Sequence, residues 1–273
     1  MTTTQLADPG PNFRLSRDVW PRRYDVQLAL DLDQWRQRGT VAIELELRAP
    51  TDVITLHALD LDVTAARLAG PGSASATATA VVHPKAEAVS LCFPAAVGPG
   101  AATLTIEFTG EIVEKLRGLY RSVKDDERYA ATQFEAADAR RAFPCFDEPE
   151  YKARFALTLD VPADATAIAN GPIVAEETRP NGRKVVRFGE TPPISSYLVA
   201  FLVGPFDATA TVETATGVPV RVWLPRGLAD KGLYARDAHR AAVEWLADYT
   251  AIPYPYGKID AIGLADFEAG AME

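Results

Sequence analysis

Histidine is scarce in this sequence: His57, His83 and His239 are all there is among 273 residues. A metal centre built on imidazole ligands has very little to draw on within this chain. Cysteine is scarcer still. Cys92 and Cys145 cannot form a disulfide framework, and such low usage suits a reducing compartment. Basic charge is in deficit, with 28 Lys and Arg against 37 Asp and Glu, a net charge of -9. That balance is the opposite of a phosphate-backbone footprint, so nucleic acid is not an expected partner. No stretch approaches the roughly 18 apolar residues of a membrane span. Met1 to Pro11 is polar and has no apolar segment of the signal-peptide kind. The expectation is a cytoplasmic protein without membrane contact.

What is present reads as strands over the first two-thirds. Tyr24, Val26, Leu28, Leu30 and Leu32 alternate with Asp25, Gln27, Ala29 and Asp31, the period of a half-buried strand. Val41, Ile43, Leu45 and Leu47 repeat the pattern, as do Leu104, Ile106 and Phe108. Turn signals separate them at 69–72 and 98–100. Pro180-Asn181-Gly182, between Val174 and Val185, predicts a hairpin. Tyr197 to Val203 is a continuous apolar run, as for a strand covered on both faces. The small-residue patch from Ser73 to Ala80 reads as a variable loop or an edge strand.

After about Pro205 the period changes. Val220, Val222 and Leu224 predict one more strand. Tyr234, Ala238, Ala241, Ala242, Trp245 and Tyr249 then fall on one face of a helix, with Arg236, Arg240, Glu244 and Asp248 opposite. Pro253 and Pro255 end it, and Ile259 to Ala265 predict a strand leading into Gly270. The fold class expected is mainly β: a twisted sheet or β-sandwich domain, then the first strand–helix–strand part of an α/β domain. The expected division is a disordered tail at 1–12, an all-β domain at 13–205, and an incomplete second domain at 206–273.

Two segments carry chemistry. One runs from Gln133-Phe134-Glu135-Ala136 through Arg140-Arg141 to Phe143-Pro144-Cys145-Phe146-Asp147-Glu148-Pro149; the other is Asp266-Phe267-Glu268-Ala269-Gly270-Ala271-Met272-Glu273. Together they resemble the aminopeptidase N family of zinc metalloaminopeptidases, the gluzincins. The first is similar to the family's substrate-amine motif. The second matches four of the five residues of its Gly-Ala-Met-Glu-Asn exopeptidase signature. The resemblance extends from about Arg14 and includes Trp20-Pro21 with Tyr24, Gly118-Leu119-Tyr120-Arg121-Ser122, Ser196 to Phe201 and Ile252-Pro253-Tyr254-Pro255.

The resemblance implies a saddle-like N-terminal domain leading into a thermolysin-like catalytic domain. It also implies that peptides with a free N-terminus are the partners. Glu135 and Glu273 would clamp the substrate ammonium, Gln133 would line the pocket for the first side chain, and Gly270, Ala271 and Met272 would lie along the bound peptide. Carboxylates suit this task, since a charge-assisted hydrogen bond to an ammonium contributes roughly 1.5–3 kcal/mol. Small residues at 270 and 271 would let an extended peptide approach an edge strand. The family's zinc is held by His-Glu-x-x-His and a downstream Glu, with the motif Glu as general base. No His-Glu-x-x-His occurs in these residues. No metal ligand and no catalytic residue is therefore assigned here, and the chain alone is expected to hydrolyse nothing. Zinc would belong to the complete enzyme.

Other readings stay open at this level. A non-catalytic peptide-binding or scaffold module would keep the same clamp, and an all-β carrier would bear the motif by chance. Asp147 and Glu148 beside Arg140 and Arg141 read as a structural ion-pair network. Cys145 reads as a buried, inert thiol. His239 has Val243 four residues on and reads as packing or surface, and Glu268 has no role in the motif. The edge from Ile259 to Met272 is expected to be exposed, and either mobile or engaged in a homodimer or with a missing catalytic part.

Overall fold

The structure is a computed structural model that describes residue 10 and residues 13–70 and 75–269. The expected tail at 1–12, save Gly10, lies outside the described residues, as do Gly270, Ala271, Met272 and Glu273.

Alternation of apolar and polar side chains organises the largest sheet. Its eight strands run in the order Ile173–Arg179, Arg183–Phe188, Arg154–Pro162, Val19–Asp31, Arg36–Leu47, Gly100–Glu111, Leu61–Ala69 and Ala76–Thr77. Val19–Asp31 pairs in parallel with Arg154–Pro162 and antiparallel with Arg36–Leu47. Tyr24, Val26, Leu28 and Leu30 are buried, as are Val41, Ile43, Leu45, Leu104, Ile106 and Phe108. Each such side chain contributes roughly 1.5–3 kcal/mol by leaving water. Gly39 makes room for one of them: a Cβ there would stand 2.3 Å from the Phe108 ring.

A three-stranded sheet, Thr51–His57, Ala88–Val97 and Thr79–His83, shares the same core through Ile54, Leu56, Val89 and Leu91. Two sheets closing on one apolar interior form a sandwich. A third sheet has the order Thr166–Ala169, Phe201–Gly204, Glu127–Gln133 and Gly118–Lys124. It contributes to the same core and also to a second cluster around Tyr120, Tyr129, Ile168, Leu202 and Phe206, against which Trp223, Ile262 and Leu264 pack.

The last sheet centres on Pro219–Pro225. That strand pairs antiparallel with Phe206–Ala208 and Val212–Glu213, and parallel with Ile259–Ile262. The parallel pair is joined through the helix Leu233–Thr250, a strand–helix–strand crossover. The helix ends at Ala251, whose left-handed φ of 55° caps it through a bond from its N–H to the Asp248 carbonyl.

The mainly β fold, the strand alternation and the hairpin at 180–182 are as the sequence predicts. Ala76–Thr77 is an edge strand of the largest sheet. Two details differ. The run Tyr197–Val203 is not one strand: Ser196–Leu198 is a 3-10 turn, and the strand begins at Phe201. There the backbone is satisfied by a side chain, since Asn170 Nδ2 donates to the Leu198 carbonyl and the Ala200 N–H donates to Asn170 Oδ1. The helix also presents the unexpected side to its sheet. Tyr234, Trp245 and Tyr249 are 87%, 62% and 75% exposed. Arg236 instead donates to the Ala210 carbonyl, and Glu244 accepts from the Ala215 N–H. Two polar side chains that satisfy loop backbone hold the helix, and its aromatic stripe faces outward.

Candidate functional site

Gln133 ends its strand opposite Gly118. Gly118 has a φ of +68°, and a Cβ there would meet the Arg141 side chain at 2.7 Å, so only glycine lets Arg141 cross at this point. Phe134 is buried, with ring contacts to Phe143 and Phe201 at 6.1 and 6.3 Å. The chain then turns: the Asp138 N–H donates to the Phe134 carbonyl, the Glu135–Ala136 peptide is cis, and Ala139–Arg141 forms a 3-10 turn. Glu135 thus rides on a short loop whose two ends, Phe134 and Ala139, are both buried in the core. Glu135 is a half-buried residue, and among the described residues its carboxylate has no hydrogen-bond or ion-pair partner. Gln133 is nearly buried at 9% exposure, and its side chain likewise has no partner among the described residues.

The loop is secured by the network expected around Arg140. Arg140 Nε donates to Asp147 Oδ2 at 3.0 Å, Nη2 to the Asp147 carbonyl at 3.1 Å, and Nη1 to Glu87 Oε2 at 2.9 Å. Ser196 Oγ donates to the other Asp147 oxygen at 2.5 Å. The Asp147 N–H donates to His57 Nδ1 at 3.3 Å, and His57 pairs by backbone with Cys145. Burial, with the charges of Arg140 and Arg14, lowers the His57 pKa to about 3. The ring is therefore neutral, as an acceptor at Nδ1 must be. Burial raises the Cys145 thiol well above its usual range, the condition of an unreactive cysteine. Glu148 lies apart from Arg140 and accepts from the Leu15 N–H at 2.9 Å.

A second set of contacts reaches this region from the far end of the chain. Tyr120, buried on the strand beside Gln133, donates its hydroxyl to the Asp266 carbonyl at 3.0 Å. Ser122 Oγ donates to Asp266 Oδ2 at 2.6 Å. Burial, then the Asp266 charge, raises the Tyr120 phenol to about 12, so it remains a donor at neutral pH. Upstream, Lys258 Nζ donates to the Ala169 carbonyl at 2.7 Å and pairs with Asp260, which also accepts from Arg221 Nε and Trp223 Nε1. Burial opposes ionisation of Asp260, but Lys258, Trp223 and Arg221 outweigh it and lower its pKa. Sequence reasoning assigned no role to Tyr120, Ser122 or Asp266. The one available signal was the i, i+2 placement of two hydroxyls on a single strand face.

Gln133 therefore closes its strand and Glu135 rides on the loop that follows, and the segment running toward Gly270 is fastened to the neighbouring strand. Among the described residues no cluster of three or more His, Cys, Asp or Glu could hold a metal ion. The histidines are engaged singly: His57 with Asp147, His83 Nε2 with Ser90 Oγ at 2.8 Å, and His239 Nδ1 with the Ala235 carbonyl at 2.7 Å. These residues do not fit zinc. No helix is long and apolar enough to cross a membrane among the described residues.

Comparison with known proteins bears on the family of the chain. The Peptidase M1 N-terminal domain profile matches residues 20–198. Aminopeptidase M1 of Arabidopsis thaliana is 41% identical over 268 residues, covering 95% of this chain and 30% of the relative. Puromycin-sensitive aminopeptidase of Caenorhabditis elegans is 37% identical over 267 residues, 95% of this chain and 28% of the relative. Aminopeptidase N of Acetobacter pasteurianus is 34% identical over 266 residues, 95% of this chain and 73% of the relative. The chain thus spans about 30% of the length of the plant relative. With two-thirds of its length matched by that domain profile and relatives of this identity along nearly all of it, the chain belongs to the M1 aminopeptidase family and corresponds to its N-terminal portion.

Proposed function

We propose that this chain supplies the substrate-amine recognition part of a cytoplasmic, zinc-dependent aminopeptidase that removes N-terminal residues from peptides. In this reading residues 13–205 form the N-terminal domain and 206–273 open the catalytic domain. Zinc and its ligands come from a part of the enzyme beyond these residues. Glu135, with Glu273, binds the peptide's ammonium, Gln133 faces its first side chain, and Gly270, Ala271 and Met272 lie along its backbone. The outward aromatic stripe of Tyr234, Trp245 and Tyr249 is the surface the remaining catalytic part, or a second copy of the chain, would cover.

The observation that carries this reading is Glu135: a half-buried residue whose carboxylate is without a partner among the described residues, on a loop anchored at both ends. A free α-amine titrates near ~7.7–8.0 and is largely cationic at neutral pH, so a preorganised carboxylate favours it over a blocked terminus. In calorimetry the chain is expected to bind leucinamide and to reject N-acetyl-leucinamide. Glu135→Gln is expected to abolish the difference, a loss on the order of tenfold or more in affinity for the free amine. Equal binding of both probes by the unaltered chain would remove the amine-recognition role. The chain alone is expected to release no nitroaniline from leucine 4-nitroanilide, with or without added zinc. Turnover by the chain itself would overturn the division of labour proposed here.

A further inference from the structure

We propose that residues 13–18 form an acid-released strap: closed, it seals the imidazole of His57 from water, and protonation of that ring opens it. The strap acts whatever the Glu135 loop binds. It lies one hydrogen bond from that loop's anchor, since His57 accepts from the Asp147 N–H and Asp147 holds Arg140.

Ile54 and Leu56 point into the sandwich core, so His57, next on the same strand, faces the other way. It is nevertheless only 4% exposed. Part of its cover comes from the start of the chain. The Phe13 ring stands edge-on to the imidazole, with 6.3 Å between centroids. Residues 13–18 belong to no helix or strand and are held by tethers. The Leu15 N–H donates to Glu148 Oε1 at 2.9 Å, and the Tyr151 hydroxyl donates to the Leu15 carbonyl at 3.2 Å. Arg17 Nε and Nη2 each donate to Glu150 at 3.1 Å, an exposed pair that water weakens. Arg48 Nη1 donates to the Arg17 carbonyl at 3.3 Å. Leu15 is the one buried side chain of the strap. A cavity of about 240 Å³ remains beside it, lined by Phe13, Arg14 and Ser16 on one side and Thr51, Val53 and Thr55 on the other. Unfilled space forgoes the contacts that would resist lifting.

The charges near the ring all disfavour a proton or are spent elsewhere. Arg14 from the strap and Arg140 from the 3-10 turn both oppose it. The Asp147 carboxylate is engaged by Arg140 and Ser196, Glu87 by Arg140, and Glu148 by the Leu15 N–H. Closed, the ring is held to about 3, by burial first and then by Arg140 and Arg14. Lifting the strap carries Phe13 and Arg14 away and admits water, which returns the ring toward its ordinary 6.5. The open form then takes a proton at a pH where the closed form refuses it, so acid favours opening. Between pH 7.5 and 5 the balance moves by about ten- to thirtyfold for an open-form midpoint of about 6 to 6.5. A protonated ring has no acceptor left at Nδ1, so the Asp147 N–H loses its partner in the same event.

The test follows hydrogen exchange of the Leu15 N–H by NMR in the 273-residue chain and in His57→Gln. Rates are taken at pH 7.5 and 5 and corrected for the intrinsic pH dependence of exchange. Core amides of Gly100–Glu111 serve as the reference. Expected at the lower pH is a loss of Leu15 protection of about ten- to thirtyfold in the unaltered chain, with the reference unchanged, and of less than about threefold in His57→Gln. The same loss in both proteins would assign the response to Glu148 and overturn the role of the ring. No loss in either would overturn the strap as an acid-released element. A second variant, Phe13→Ala, uncovers the ring and keeps the tethers. With it the His57 midpoint, followed through the ring protons, is expected to rise from about 3 to above about 5. An unmoved midpoint would show that the strap does not seal His57, and the proposal would fall.

Discussion

Asp147→Ala is expected to destabilise the chain by about 3–5 kcal/mol, the usual consequence of removing one member of a buried ion pair. The side chain of Asp147 is 1% exposed and that of Arg140 9%. Without the carboxylate, Arg140 keeps Glu87, which is 41% exposed and gains less from pairing because water competes. Ser196 loses its acceptor as well, and an orphaned buried polar group costs a further increment. Asp147→Asn keeps an acceptor for Ser196 and is expected to lose less. Joint replacement of Arg140 and Asp147 by Met and Leu is expected to cost less than the single alanine, since no charge is left stranded. Urea unfolding monitored by tryptophan fluorescence would rank the four proteins. A single-alanine cost below about 1 kcal/mol would mean that the guanidinium remains solvated, contrary to the burial described.

Acid should weaken the same region, through His57. Its folded-state pKa is lowered to about 3, against an ordinary value of 6.5. The folded chain favours the neutral ring, so the unfolded chain takes up the proton first. The contribution is fully present above about pH 6.5 and is lost as the pH falls toward 3. Over that interval it amounts to about 4–5 kcal/mol at 1.36 kcal/mol per unit. Carboxylates also titrate at the lower end, so the comparison is with His57→Gln, which keeps a side-chain acceptor for the Asp147 N–H. The urea midpoint of the unaltered chain should fall more steeply than that of His57→Gln between pH 6.5 and 4. Parallel slopes would show that the ring is reached by water or protonated in the fold.

The largest sheet was readable because its information is local. Each of the strands Val19–Asp31, Arg36–Leu47 and Gly100–Glu111 carries its own two-residue period, and burial follows it. The hairpin at Asn181-Gly182 is likewise written in adjacent residues. Tyr197 to Val203 was misread because Asn170, some 30 residues away, satisfies the backbone there. On the helix, the apolar stripe is real but faces outward. Periodicity identifies an apolar face without saying whether the neighbour that covers it lies in the same stretch of chain. The role proposed for Glu135 rests on motif resemblance, since a lone carboxylate carries no local signal. Tyr120, Ser122 and Asp266 were illegible for the opposite reason: their meaning lies in contacts 144 and 146 residues long.

The anchoring of the Glu135 loop also bears on the order of folding. Arg140 meets Glu87, Asp147 meets Ser196, and Cys145 pairs with His57. Each contact closes a long loop of chain, and such contacts form late because their closure entropy precedes their reward. The hairpins at Val19–Leu47 and Ile173–Phe188 can assemble from neighbours alone. The carboxylate loop acquires its shape only when the sandwich and the third sheet have met. During synthesis, the Glu135 loop is thus among the last parts of this chain to take its shape, and the first to lose it when distant strands loosen.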